Sequence, residues 1–368
     1  MPQANLEQIA NTVASYVDAS KLLQGSFSAS YDPICGLLNK IGKTFTIDTL
    51  FFDDFTEMDG EKLEFGAILE EFYEDLIQPG TWDDTGANTL SPAYPTYRPT
   101  IYSYPFGLKP FKQTESYVRY KKACLNAESY GLLIAKVYKR LEDSIAVWKR
   151  DTKKEMLGKF IGKVEAAFSG ASTVTANTAY SVGAYVKDAS HYAVVFKAIP
   201  NTNTETDVAD LVAAGYCVLI DNLKQVVAKP VDTETGEAFI KQLKNDVAVS
   251  RRPNENSLNG ASIGAQEGLY LYVKEGVMSS LDVDTLAGAF NQERLAVPVT
   301  IRQVEDFGSY SGNAYAILID PRGCRIHPNE DLTLNQVNAE GAFINIYRHM
   351  DFTGCISGNS FVKVYEAS

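Results

Sequence analysis

The sequence predicts an α+β protein, and three observations lead to this fold class. A helical period runs without interruption from Asn126 to Gly170. Short apolar runs of strand length recur between residues 191 and 319, with helix-like pieces between them. Two runs near the C-terminus, 343–347 and 361–365, alternate apolar and polar residues as an antiparallel ribbon does. A long helix followed by a mixed sheet with helices is the pattern of an α+β chain.

The long helix gives the strongest of these signals. Its apolar residues fall mostly three or four positions apart, the spacing that places them on one helix face. They are Leu133, Val137, Leu141, Ile145, Trp148, Met156, Phe160, Val164 and Phe168. Charged residues fill the positions between them. Asn126 is suited to cap this helix and Gly170 to end it.

The chain before the helix predicts an arm and a hairpin. Residues 5–24 have the pattern of a short amphipathic helix, and glycines and prolines then break the pattern as far as Asp59. An extended run at 61–76, a loop from Pro79 to Pro99 and a second run at 101–112 follow. Two strands with a long connection are not stable alone, so we expect this hairpin to lie on another surface.

Charge divides the first half of the chain into two segments of opposite sign. Residues 51–90 contain twelve acids and one base, Lys62, whereas residues 109–163 contain fourteen bases and six acids. Such runs are often solvated faces without a partner. The alternative is that the acids of the hairpin meet bases of the helix in a neighbouring subunit.

The segment after the helix predicts the mixed sheet and one exposed loop. The strand-like runs lie at 191–199, 216–220, 269–273, 297–301 and 315–319. Helix-like pieces follow Thr233 and span 281–290. The polar stretch from Ser250 to Gly268 has the composition of an exposed, mobile loop.

No stretch of the sequence carries a catalytic, metal-binding or cofactor-binding motif. The Gly308–Gly312 stretch has tyrosine where a nucleophile elbow requires serine. Adjacent carboxylates such as Asp53 and Asp54 point in different directions and do not form a general acid and base. The net charge of −12 argues against a protein that grips nucleic acid by neutralising phosphates. We therefore expect a protein that is not an enzyme and needs no cofactor.

The order of these parts resembles the major capsid protein of tailed bacteriophages, the Hong Kong 97-type fold. The similarity lies in the extended run 62–76, the helix 127–168, and the strand 315–323 leading into 361–365. It is one of architecture and rests on no short diagnostic motif. The resemblance implies a four-part division of the chain. Its parts are an N-terminal arm at 1–60, an extended loop (E-loop) at 61–113, a peripheral (P) domain with the spine helix at 114–184 and 314–368, and an axial (A) domain at 185–313.

The resemblance also implies where copies of the chain meet. The predicted inter-subunit contact joins loop acids to spine bases; these residues are Glu70, Glu71, Glu74, Asp75, Lys149, Arg150, Lys153 and Lys154. The predicted capsomer-axis loop contains Arg251, Arg252, Asn254 and Asn256. The loop tip at 78–99 contains no lysine, so we do not expect the covalent crosslink that some relatives form.

The implied function is self-assembly into the icosahedral head shell that encloses the double-stranded DNA of a tailed phage. The partners would be the chain itself in hexamers and pentamers, a separate scaffolding protein, a portal and decoration proteins, with no membrane and no sequence-specific DNA binding. The shell would form in the host bacterial cytoplasm and become the virion capsid. Two alternatives remain open at this point: an encapsulin-type protein compartment, and a carboxylate-based hydrolase.

Overall fold

The computed structural model describes most of the chain in two compact units. The described residues are 53–64, 101–117, 127–250, 256–260, 268–277 and 299–367, with the short pieces 3–4, 46–47, 69, 71–74, 97–99 and 252. Unit one contains Met1–Ala67, Pro105–Lys153 and Ile326–Thr353, and unit two contains Ile68–Tyr104, Lys154–Arg325 and Gly354–Ser368. The predicted helix at 5–24, the helix-like piece at 281–290 and the loop tip at 78–96 lie outside the described residues.

The described residues form both helices and strands, as the sequence predicts for an α+β chain. The helices are α1 (Ala127–Ser169), α2 (Val208–Ala213) and α3 (Thr233–Val249). The strands before α1 are β1 (Gln3–Ala4), β2 (Thr46–Ile47), β3 (Phe72–Glu74), β4 (Tyr97–Pro99), β5 (Ile101–Pro105) and β6 (Lys109–Ser116). Those between α1 and α3 are β7 (Ser172–Thr173), β8 (Tyr185–Lys187), β9 (Tyr192–Val195), β10 (Cys217–Leu219) and β11 (Lys224–Val226). Those after α3 are β12 (Leu269–Lys274), β13 (Val299–Val304), β14 (Ala314–Ile319), β15 (Cys324–Asn338), β16 (Phe343–Ser357) and β17 (Val362–Glu366).

Helix α1 confirms the prediction of one uninterrupted helix to within a residue at its C-terminal end. It has 43 residues, which at 1.5 Å each gives a length of about 65 Å. Seven residues of the predicted apolar stripe are buried: Leu133, Val137, Leu141, Ile145, Met156, Phe160 and Val164. Burial of this stripe stabilises the helix far more than propensity alone, because isolated helices are marginal in water.

Unit one is built around the part of α1 up to Lys153 and an antiparallel sheet. Strand β16 pairs with β6, with Phe343 opposite Ser116 and Met350 opposite Lys109. Strand β15 lies on the other side of β16. The Trp148 ring lies 4.9 Å from the Phe352 ring, so α1 packs on this sheet through an aromatic contact.

The run predicted at 101–112 is divided into two strands, β5 and β6. Gly107 separates them with a φ of +73°, a left-handed conformation that glycine adopts without steric cost. The run predicted at 61–76 is shorter than expected in the described residues. Only Phe72–Glu74 forms a strand there, and it pairs antiparallel with Tyr97–Pro99.

Unit two holds the mixed sheet. Its five strands follow the order β11-β17-β14-β12-β13, with β11 parallel to β17 and β12 parallel to β13. All six residues of β14 are buried, as expected for a central strand. Phe239 and Leu243 of α3 pack on this sheet with Tyr365 of β17. A second sheet, β10-β9-β8-β7, is covered by Val208 and Leu211 of α2.

Candidate subunit interface

The residues before the hairpin are anchored on α1 by a buried lysine. Lys153 is fully buried, and its ammonium group lies 2.9 Å from Asp59 Oδ1 and also pairs with Asp53. The same nitrogen donates a hydrogen bond of 2.7 Å to the carbonyl oxygen of Phe55. Phe55 and Met58 are buried beside it. A buried charge is tolerated only with this kind of compensation, so the lysine and the two carboxylates depend on each other.

Two further predicted bases of α1 face the same segment. The Lys149 ammonium lies 2.8 Å from Asp59 Oδ1. Arg150 Nε lies 3.9 Å from Asp54, and the guanidinium lies 5.8 Å from the centre of the Phe55 ring. Burial raises the pKa of Asp59, but hydrogen bonds from the two lysines outweigh burial and the net pKa is lowered. Residues 53–59 therefore carry the acids that these three bases contact within one chain.

The fourth predicted base has its partner in unit two. Lys154 is buried, and its ammonium lies 3.2 Å from Glu305 Oε2.

Of the predicted acids, Glu71 accepts a hydrogen bond from the Ser357 hydroxyl, and burial raises the pKa of Glu71. Glu70 and Asp75 lie outside the described residues, and Glu74 is described as part of β3 only. A contact between these acids and bases of another subunit stays a prediction.

The predicted axis loop needs one correction. Residues 256–260 are not exposed, because Asn256, Ser257, Leu258 and Gly260 are all buried. The side-chain amide of Asn256 donates a hydrogen bond of 3.2 Å to the Val249 carbonyl, and the backbone carbonyl of Asn256 accepts one from the Val362 N–H. Asn256 therefore ties this segment to α3 and β17. Arg252 is exposed, whereas Arg251 and Asn254 lie outside the described residues.

The root of the hairpin lies against the second half of α1 through two lysines. Lys163 lies 4.3 Å from the centre of the Tyr102 ring, and Lys159 lies 5.2 Å from that of Tyr104. Tyr185 also contacts Tyr102. Burial is the main cause that raises the pKa of Tyr185, and the interaction with Tyr102 raises it further. These cation–π contacts were not predicted from the sequence. Their only signal was two lysines four apart on a helix and two tyrosines two apart on a strand.

A loop after β13 is bound to the same half of α1. Glu155 of α1 accepts hydrogen bonds of 2.7 Å from both the backbone N–H and the hydroxyl of Ser309. The Tyr310 hydroxyl donates to Glu165. At Gly158 a Cβ atom would lie 2.1 Å from the Phe307 carbonyl oxygen, so the loop approaches the helix backbone more closely than any side chain would allow. The pKa of Glu155 is lowered, because the Ser309 bonds outweigh the effect of burial.

The described part of the chain offers no arrangement for metal chemistry. No group of three His, Cys, Asp or Glu side chains is placed there to hold a metal ion. Among the same residues, no helix is long and apolar enough to cross a membrane. The features described above are ion pairs and packing contacts, which anchor extended segments on a long helix.

This architecture matches that of phage capsid proteins. The capsid structure of Staphylococcus phage Andhra matches with a TM-score of 0.57 at 11% identity, over 88% of this chain and 86% of that chain. The capsid structure of the cyanophage P-SCSP1u matches with a TM-score of 0.49 at 7% identity, over 89% of this chain and 91% of that chain. A comparison with curated protein sequences finds no match.

The chain therefore has the fold found in the Andhra phage capsid structure. A family model of the Phi29-like phage major capsid proteins matches residues 1–362. The chain belongs to this family. Its function is that of a capsid shell protein, and its place is the virion capsid. The predicted resemblance to tailed-phage capsid proteins is confirmed, and the encapsulin and hydrolase alternatives are not favoured.

Proposed function

We propose that this chain is the repeating subunit of an icosahedral head that encloses double-stranded DNA. The match of the capsid family over residues 1–362 carries this proposal. The subunits would form hexamers and pentamers in the host bacterial cytoplasm, with a separate scaffolding protein, a portal and decoration proteins as partners. No enzymatic step is part of this role.

The four-part division of the Hong Kong 97-type fold supplies the roles of the segments. Residues 1–60 would act as the arm and 61–113 as the E-loop. The P domain would comprise 114–184 and 314–368, and the A domain 185–313. The confirmed helix α1 and the mixed sheet of unit two support this division.

Contacts between subunits would use the acids of the E-loop and the bases of the spine. Glu70, Glu71, Glu74 and Asp75 supply the acids. Lys149 and Arg150 are partly exposed and could take a second carboxylate, whereas Lys153 and Lys154 are buried and would act by holding their own subunit in shape. Single exposed pairs contribute only about 0–1 kcal/mol, so several pairs must act together. The exposed Arg252, with Arg251, Asn254 and the anchored Asn256, would mark the capsomer-axis loop.

The test of shell formation is electron microscopy of the purified chain in negative stain, alone and with crude scaffold-containing extract. Shells, tubes or rings are the expected particles. Only small single particles under both conditions would contradict the proposal. The Glu70→Lys/Glu74→Lys variant should assemble poorly while its circular dichroism spectrum stays that of the wild type. Unaltered assembly of this variant would show that the E-loop acids do not form the contact between subunits.

A further inference from the structure

Residues 53–63, which we call the strap, lie across two different elements of unit one. The first half of the strap, 53–59, lies on α1 through ion pairs and through the buried side chains of Phe55 and Met58. The second half, 60–63, runs beside the start of β15 and bonds to its backbone. The strap therefore holds the long helix and the sheet at once, with side chains at one end and backbone hydrogen bonds at the other.

One side chain of α1 holds the first half of the strap. Lys153 is fully buried, and its ammonium group has three N–H donors. Three acceptors of the strap lie around it: the carboxylates of Asp53 and Asp59 and the carbonyl oxygen of Phe55. Because these acceptors lie along the whole first half, lifting any part of that half removes compensation from a buried charge. The first half should therefore leave α1 as one piece.

The second half of the strap is held by backbone contacts that require a glycine at residue 60. The Gly60 N–H donates a hydrogen bond of 2.8 Å to the Ile326 carbonyl, and the Leu63 N–H donates one of 2.9 Å to the Pro328 carbonyl. A Cβ atom at Gly60 would lie 2.4 Å from two atoms of the His327 ring. His327 is 8% exposed, so this ring has little space to yield. A side chain at residue 60 would therefore push the second half away from β15.

We propose that the strap opens and closes as one unit, with Lys153 as the latch of its first half and Gly60 as the close contact of its second. Proteins open locally in cooperative units of this kind. Opening would release the eleven residues of the strap and extend the reach of residues 1–52 by up to about 36 Å, at 3.3 Å per residue. In a shell, copies in hexamers and pentamers have neighbours at different distances, and a segment with two lengths would serve both positions. This use rests on the proposed function, whereas the opening itself does not.

The test is hydrogen–deuterium exchange of the unassembled full-length subunit, read by mass spectrometry of peptides from each half of the strap. Lys153→Met removes the latch of the first half, and Gly60→Ala disturbs only the second half. In each variant the amides of both halves should exchange at least about tenfold faster than in the wild type, which corresponds to 1.4 kcal/mol. The matched controls are Lys241→Met, where the side chain is 78% exposed, and Gly162→Ala, where a Cβ would meet nothing within 4 Å. Both controls should leave the exchange of the strap unchanged.

Three outcomes would overturn the proposal. The first is faster exchange confined to the half that carries the substitution, because the two halves would then be independent contacts. The second is equally faster exchange in residues 137–145 of α1, because the strap would then be part of the cooperative core. The third is wild-type exchange of the strap in both variants. Wild-type shells seen by microscopy together with any of these results would leave shell formation standing and remove only the opening of the strap.

Discussion

Replacing Gly158 with alanine tests how closely α1 packs against the loop at 305–312. The new Cβ would lie 2.1 Å from the Phe307 carbonyl oxygen and 3.1 Å from Tyr310 Cβ. Since the first contact is with backbone, the loop would have to move by more than an ångström. Overpacking of this kind costs about 1–3 kcal/mol. The movement would also weaken the bonds from Ser309 to Glu155.

Gly162, one turn further along the same helix, provides the matched control. A Cβ there would meet nothing within 4 Å. Both substitutions gain up to about 1 kcal/mol of helix propensity. We therefore expect Gly162→Ala to raise the free energy of unfolding by up to about 1 kcal/mol and Gly158→Ala to lower it by about 1–2 kcal/mol. The two substitutions should therefore change the free energy of unfolding in opposite directions.

The assay is urea denaturation of the unassembled subunit, followed by circular dichroism. The midpoint is compared at an unchanged slope, since a changed slope would indicate an altered denatured state. If Gly158→Ala is as stable as Gly162→Ala, the loop at 305–312 does not approach the helix backbone as closely as described.

Four further predictions follow from the same contacts. Leu141→Ala should lower the free energy of unfolding by about 2–5 kcal/mol, because Leu141 is buried. Leu332→Ala, at a site that is 44% exposed, should change it by less than about 0.5 kcal/mol. Urea denaturation measures both variants, and equal values would contradict the buried face assigned to α1. Lys153→Met should cost about 3 kcal/mol in the same assay, because it leaves Asp53 without its buried partner, and Lys241→Met should cost little; a neutral Lys153→Met would show that the ion pair is dispensable. The hydrogen bond to Asp221 raises the pKa of His191. The stability that this pair contributes is therefore complete below about pH 6.5 and is lost as the pH rises through the raised pKa. NMR titration should show a lower His191 pKa in the Asp221→Asn variant, and an identical pKa would exclude the pairing. A shell lining must let the genome slide, so purified subunits should bind duplex DNA no better than about 10⁻⁴–10⁻⁶ M at physiological salt, and nanomolar or sequence-selective binding in a filter assay would contradict the proposed shell.

Local periodicity was sufficient to predict the long helix and the central strands. The apolar stripe from Leu133 to Phe168 predicted α1, and the run 269–273 predicted β12, because in each case one face or one short run is buried along its whole length. The division of 101–112 at Gly107 was missed, since a left-handed glycine is one residue without a periodic signature.

Contacts between distant residues could not be predicted in this way. The polar composition of 250–268 suggested exposure, yet Asn256 is buried because Val249 and Val362 supply its hydrogen bonds. The bases near Lys153 were assigned to a neighbouring subunit, although acids about a hundred positions earlier contact them within the chain. Charge counts show which segments carry opposite charge, but they carry no information on whether those segments meet or on which copy supplies the partner.

The contacts of Lys159 and Lys163 with Tyr104 and Tyr102 also explain which parts of the hairpin can change length. Four residues of helix advance about 6.0 Å and two residues of strand advance about 6.6 Å, so the two pairs meet at matching intervals. One residue inserted between the tyrosines would turn one ring to the opposite side of the strand and remove its lysine contact. Residues added between 75 and 96 lie outside the segment between the two tyrosines, so such an insertion should leave both lysine contacts in register.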